Sequence, residues 1–246
     1  MLNPAILALT IALQSTPVTP SPASPAPPPL PEDRPIVEIF QNLGRDLKKL
    51  PSIDTLAIVG GGVVAGVAAH NNDVPLSNWV AKQEPAGYTS IGQVIGNGWT
   101  QGAAALGTYG AGLLAHDRMT IHLGSDLIRA QALNAVLTRG MKIIAGRRRP
   151  GGGPDSMPSG HTTATFASAA VLNDHFGWKV GVPSFAVAGF VGWTRVRDRA
   201  HWMTDVIVGA AIGTAVGHTV AKGHRGRGWT VVPVASARSM ALYYVR

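Results

Sequence analysis

Three short islands, Lys142-x6-Arg149-Pro150, Pro158-Ser159-Gly160-His161 and Arg195-x5-His201-x3-Asp205, put three cations, two histidines and a carboxylate into one 64-residue stretch. Those residue types can hold a phosphate group and attack it with an imidazole. His201 and Asp205 are four apart, so on a helix they share one face, one turn apart. A carboxylate there can accept the Nδ1 proton of His201, which fixes the tautomer and leaves Nε2 free to attack phosphorus. Ser159 reads as an N-cap, so the Gly160 and His161 backbone N–H groups mark a helix start able to receive an anion. Glycine at 160 lets a phosphate oxygen come close to the backbone. His161 can then protonate the leaving alkoxide as a general acid. Arg149 and Arg195 offer planar forks for phosphate oxygens and Lys142 a point charge, which neutralise the equatorial oxygens during transfer. Arg147, Arg148, Arg197 and Arg199 read as outer-layer, surface or headgroup contacts.

The elements that must position these residues read as helices. Ile36, Ile39, Phe40, Leu43, Leu47 and Leu50 follow helical spacing with Pro51 as the stop. This first helix either packs on the domain or lies on a membrane surface. Uncharged runs at 55–69 and 89–115, an alanine-rich stretch at 125–144, and segments 159–172, 182–194 and 205–221 complete the set. None reads as a strongly apolar span of about twenty residues, so the expectation is a bundle packed against itself, with a membrane-embedded bundle as the alternative. Residues 229–232 and 241–245 flank a Ser/Ala/Arg stretch and read as a short C-terminal β-hairpin. The fold class expected is all-α, with about six core helices and the site between them.

Composition narrows the function. The chain has 246 residues, 46% apolar and only 14% charged, with a formal charge of +8 and no cysteine. The missing cysteines exclude disulfides, thiolate metal sites and cysteine nucleophiles. The positive charge is concentrated on the islands: Arg139, Lys142, Arg147, Arg148 and Arg149 fall within eleven residues that contain no acid. Such patches attract anions. No recognition helix or aromatic-interleaved basic strand points to nucleic acid. Residues 1–14 read as a signal peptide or N-terminal apolar segment, 15–35 as a Pro-rich disordered linker, and 36–246 as the functional domain. His116, Asp117 and His122 could suggest a metal site, but their spacing favours structural roles.

Through all three islands the chain resembles the type 2 phosphatidic acid phosphatase and vanadium haloperoxidase superfamily, in particular its compact bacterial members. The resemblance implies a helical bundle with the site between core helices. It implies a phosphohistidine intermediate on His201, hydrolysed by water with no metal or other cofactor, with Lys142, Arg149, Ser159, Gly160 and Arg195 holding the phosphate and His161 as the acid. Thr194 stands where the family has serine, and the loop from Gly151 to Met157 is short. The expected function is removal of phosphate from a phosphorylated lipid or a small organic phosphate, in the periplasm or cell envelope and in association with a membrane. A vanadium-dependent haloperoxidase is the enzymatic alternative. Vanadate would be its cofactor, and an inhibitor of the phosphatase, because it mimics the trigonal-bipyramidal transition state. A catalytically inactive anion- or lipid-binding module is the third possibility.

Overall fold

The computed structural model of the protein describes residues 35–83, 86–222, 230–236 and 239–245. The apolar segment expected at 1–14 and, but for Pro35, the Pro-rich linker expected at 15–35 lie outside the described residues. Among the described residues nine α-helices follow one another: α1 (Pro35–Lys49), α2 (Ile53–His70), α3 (Asp73–Ala81), α4 (Thr89–Gly96), α5 (Gly98–Ala115), α6 (Arg118–Ala145), α7 (Gly160–Phe176), α8 (Trp178–Arg197) and α9 (Met203–Lys222). A 3₁₀ turn at Ala86–Tyr88 precedes α4. Two strands, β1 (Thr230–Ser236) and β2 (Ser239–Val245), pair antiparallel with Thr230 opposite Val245.

The described residues hold nine helices where the sequence reading gave seven segments, about six of them core, for two local reasons. The run at 89–115 is broken at Asn97, whose extended backbone (φ −65°, ψ 131°) ends α4 while its side chain accepts from Trp99 N to start α5. The turn after α2 leads directly into the short α3, whose Asp73 and Ser77 are buried. Helix α6 has a firm signal at each end. Asp117 accepts from Met119 N and Thr120 N, and Gly146 closes the helix in the left-handed region at φ 52°.

The core is built of small residues. Ala130, Leu133, Ala167, Val171, Ile212 and Val216 form its centre where α6, α7 and α9 meet. On α9, Gly209, Gly213 and Gly217 recur every four residues and face α7. A Cβ at Gly213 would stand 2.2 Å from the Thr163 carbonyl, and one at Gly217 would stand 2.3 Å from that of Ala167. The α7–α9 seam is therefore backbone against side-chain-free backbone. It draws the N-termini of the two helices together, and both carry motif residues.

Among the described residues two helices, Ile53–His70 and Met203–Lys222, are long and apolar enough to cross a membrane. Each is longer than the segment read from the sequence, taking in Ile53, Asp54 and His70 at α2 and Met203, Thr204 and Lys222 at α9. They differ in surroundings: 61% of the α9 window is buried against the bundle but only 6% of α2 is. Large apolar side chains on α2, α5 and α8, among them Leu56, Val64, Val67, Leu106 and Val182, are exposed. Contiguous exposed apolar surface of this kind marks an interaction face rather than a water-facing one.

Candidate active site

The three islands converge. Lys142 comes from the last turn of α6, Arg149 from the loop after it, and Gly160 and His161 from the first turn of α7. Arg195 comes from the end of α8, and His201 from the turn before α9. Together with Ala200 these six residues line one cavity of about 130 Å³. Ser159 and Asp205 are fully buried beneath it.

The nucleophile candidate is held differently from the sequence expectation. His201 Nδ1 donates to the Ser156 carbonyl at 2.6 Å. Asp205 Oδ2 stands 3.8 Å from the same nitrogen, beyond hydrogen-bond reach. The carboxylate is occupied elsewhere: it accepts from Ser156 Oγ, from Trp202 N at 2.9 Å and from Arg147 Nη1 at 2.8 Å. Its grip on His201 is thus partly indirect, through Ser156. The tautomer is unambiguous, because a carbonyl oxygen can only accept. Nδ1 must carry the proton, and Nε2 keeps its lone pair.

His161 lies at the start of α7 with Ser159 in the N-cap position. Ser159 makes no side-chain cap bond. Its Oγ accepts from Thr162 Oγ1 at 2.9 Å, and its N–H donates to the Asp205 carbonyl at 3.1 Å. The α7 start is therefore anchored to α9 rather than capped by the serine. His161 Nε2 is buried without a hydrogen-bond partner. Burial first, then the Arg195 charge and His201, lower its pKa to about 4, with a hydrogen bond to the Gln93 backbone opposing. Burial also lowers the His201 pKa, against the pull of Asp205. Both rings are neutral near pH 7.

The cations are braced by carbonyl oxygens. Lys142 Nζ donates to the Asp155 carbonyl, Arg149 Nε to that of Pro154 at 3.0 Å, and Arg195 Nη2 to that of Thr89 at 3.2 Å. Arg195 also meets the Asp198 carboxylate at 2.8 Å. The loop itself is tied down by Arg149 N to Gly153 O (3.1 Å), Ser156 N to Arg147 O (2.8 Å) and Gly151 N to Arg199 O (2.8 Å). The last of these joins the first and third islands directly.

Several site residues carried no readable sequence signal. Arg147, read as an outer contact, bridges Asp205 and Asp73, the latter at 2.7 Å. Asp73 also accepts from Thr204 N (2.9 Å) and Thr204 Oγ1 (2.7 Å), so α3 supports the third island. Gly96 admits His161: a Cβ there would come within 2.8 Å of the His161 Cβ. Ser156 could have been suspected from its place just before Pro-Ser-Gly-His. Asp73 and Gly96 could not, being more than sixty residues from the islands they serve. Away from the site, His175 is paired with Asp126 at 2.8 Å and His218 with Asp174 at 2.7 Å. His116 and Asp117 serve as helix caps.

A second, larger cavity of about 570 Å³ adjoins the first and shares Lys142, Gly160 and His161 with it. Its other walls include Trp99, Gln131, Asn134 and Arg139.

Fold and site together define a helical protein with a cationic cavity that holds two histidines, and residues 123–229 match the family model of the PAP2 superfamily. Among curated proteins, the chain is 37% identical over 99 residues to a lipid A 1-phosphatase of Porphyromonas gingivalis, covering 37% of this chain and 22% of that one. It is 34% identical over 79 residues to a probable diacylglycerol pyrophosphate phosphatase 1 of Schizosaccharomyces pombe (26% of this chain, 28% of that one). The similarity to a lipid A 4'-phosphatase of Helicobacter pylori is 27% over 81 residues (33% and 41%). The chain thus spans between about a fifth and two fifths of these relatives. A transmembrane PAP2 type phosphatidylglycerolphosphate phosphatase from Bacillus subtilis superimposes with a TM-score of 0.45 at 19% identity, covering 78% of this chain and 96% of that one.

Proposed function

We propose that the protein is a membrane-associated phosphatase that removes phosphate from a phosphorylated lipid through a phosphohistidine intermediate, without a metal. The observation that carries the reading is the single 130 Å³ cavity lined by two neutral histidines and three cations. His201 Nε2 attacks phosphorus while the P–O bond to the alcohol breaks. The positive charge that develops on the ring is stabilised by Asp205, 3.8 Å away. Lys142, Arg149 and Arg195 neutralise the transferring oxygens, the task a metal performs in other phosphoryl transfers. The Gly160 end of α7 adds its backbone N–H groups.

His161 gives its proton to the leaving alkoxide, then takes one from the water that cleaves the P–N bond. With a pKa of about 4, it must gain that proton with the substrate. An incoming phosphate dianion raises the pKa, and a monoanion can hand over its own proton.

A lipid substrate is supported by the lipid names of the relatives, the exposed apolar faces of α2, α5 and α8, and the larger cavity leading away from His161. We place α2 and α9 across the membrane on their length and hydropathy. The test is phosphate release from short-chain phosphatidic acid in excess EDTA, with His201→Ala as the control. EDTA-resistant turnover that vanishes in the variant is expected. Full activity in His201→Ala, or loss of activity on chelation, would overturn the mechanism.

A further inference from the structure

A cavity of about 320 Å³ lies between the end of α1, the start of α2 and the end of α9, lined by Lys48, Lys49, Ser52, Asp54, His218 and Lys222 among others. It is remote from the catalytic cavity. His201 and His218 are seventeen residues apart on and before α9, which is about 25 Å at the helical rise. That distance approaches the thickness of a bilayer's hydrocarbon core, about 30 Å.

The cavity is basic. Three lysines face one lining carboxylate, Asp54, which Lys222 holds. Ser52 caps α2 from its floor, accepting from Thr55 N, and Thr55 in turn meets Thr219 Oγ1 at 3.0 Å.

Helix α1 adds a second, independent feature. It has three faces. Asp46 and, in part, Ile39, Leu43 and Leu50 face the bundle, while Arg45, Lys48 and Lys49 lie on a polar side. A third stripe, Ile36, Val37, Phe40 and Leu47, is apolar and exposed, Phe40 by 70%. The helix cannot roll to hide that stripe. Asp46 is locked by Arg129, which also holds Asp126, and Asp126 holds His175. All four side chains of this lock are at least nine-tenths buried.

From this arrangement we propose that the protein carries a second lipid site, distinct from the catalytic one. There an anionic phospholipid seats its headgroup in the Lys48–Lys49–Lys222 cavity and lays its acyl chains along the exposed stripe of α1. Charge complementarity commits the occupant: a lysine-rich cavity at the end of a helix that carries an exposed apolar stripe suits a phosphodiester lipid. A protein partner would have to match both the apolar stripe and the lysines at its end. The inference stands whether or not the catalytic reading holds.

The test uses the full chain in neutral detergent, with intrinsic-fluorescence melting curves recorded against added phosphatidylglycerol, phosphatidylcholine or inorganic phosphate. Phosphatidylglycerol should raise the melting temperature and phosphatidylcholine should not. The apparent affinity for phosphatidylglycerol should fall at least about tenfold in K48Q/K49Q/K222Q, since each lysine near an anionic surface is worth a factor of about five. It should stay unchanged in Arg149→Gln, which alters only the catalytic cavity. A second variant, F40S/L47S, keeps every charge and should still weaken phosphatidylglycerol several-fold. The proposal is overturned if the lysine variant binds like the parent. Loss in Arg149→Gln instead would place the lipid in the catalytic cavity. An equal response to inorganic phosphate would reduce the site to a simple anion pocket.

Discussion

Replacing Gly213 by alanine tests how the two helices that carry the histidines are held. The new methyl would sit 2.2 Å from the Thr163 carbonyl oxygen and 3.0 Å from Ala167 N, both backbone atoms of α7. No side-chain rotation can relieve such a contact. Restoring an ordinary separation of about 3.4 Å requires α7 to move by roughly 1 Å. Thr163 lies two residues from His161, so the displacement reaches the catalytic cavity. Overpacking of this kind costs about 1–3 kcal/mol, and a misplacement of about 1 Å costs up to about a hundredfold in rate. Gly209 and Gly189 supply the gradient. A Cβ at 209 meets the Ser159 carbonyl at 3.1 Å, a mild overlap, and one at 189 meets nothing within 4 Å. Melting temperature and kcat/KM on short-chain phosphatidic acid should therefore rank Gly189→Ala at or above the parent, Gly209→Ala below it and Gly213→Ala far below both. A Gly213→Ala protein with parental kcat/KM and an unchanged melting temperature would refute the reasoning.

Other outcomes follow from the site. Asp205→Asn removes the charge that balances Arg147 and the developing imidazolium, so kcat should fall about 10²-fold or more with little change in KM. Ser156→Ala keeps the carbonyl that fixes His201 and should cost less than tenfold; a loss equal to that of Asp205→Asn would mean that the carboxylate acts through the Ser156 hydroxyl rather than by its charge. Followed by NMR, His161 should titrate near 4 in the free protein and move upward when phosphate or vanadate binds, because an anion favours the imidazolium. Its folded pKa lies below the unfolded value of 6.5, so its contribution to stability is present above pH 6.5. That contribution is lost as pH falls towards 4, a decline that His161→Asn should lack. Arg129→Met strands Asp46 and Asp126 in the interior and should destabilise by about 3–5 kcal/mol, read from chemical unfolding.

Much of the site was legible because its chemistry is written in short local strings. The spacing of His201 and Asp205, the helix start at Gly160 and the three cations could all be recognised without knowing where the helices cross. What could not be read was tertiary. Asp205 had a plausible partner in sequence, yet Ser156, forty-nine residues away, took its oxygen because the loop folds back beneath His201. Asp73 reached the third island across more than 130 residues. The fold showed the same division. Long uncharged runs marked the helices, but the break at Asn97 depended on one side chain capping its own backbone. The exposure of α2 depended on what the rest of the chain left uncovered.

The loop between Arg149 and Ser156 has a kinetic consequence. It is bonded to itself, to Lys142 and to Arg199 before any ligand arrives. A receptor already assembled spends little of its binding free energy on ordering, so capture of substrate should proceed without a gating step. The same rigidity acts on departure, because inorganic phosphate meets the same fixed ring of charges as the substrate did. On the proposed reaction, the exit of phosphate should set the tempo of turnover, and added free phosphate should slow it.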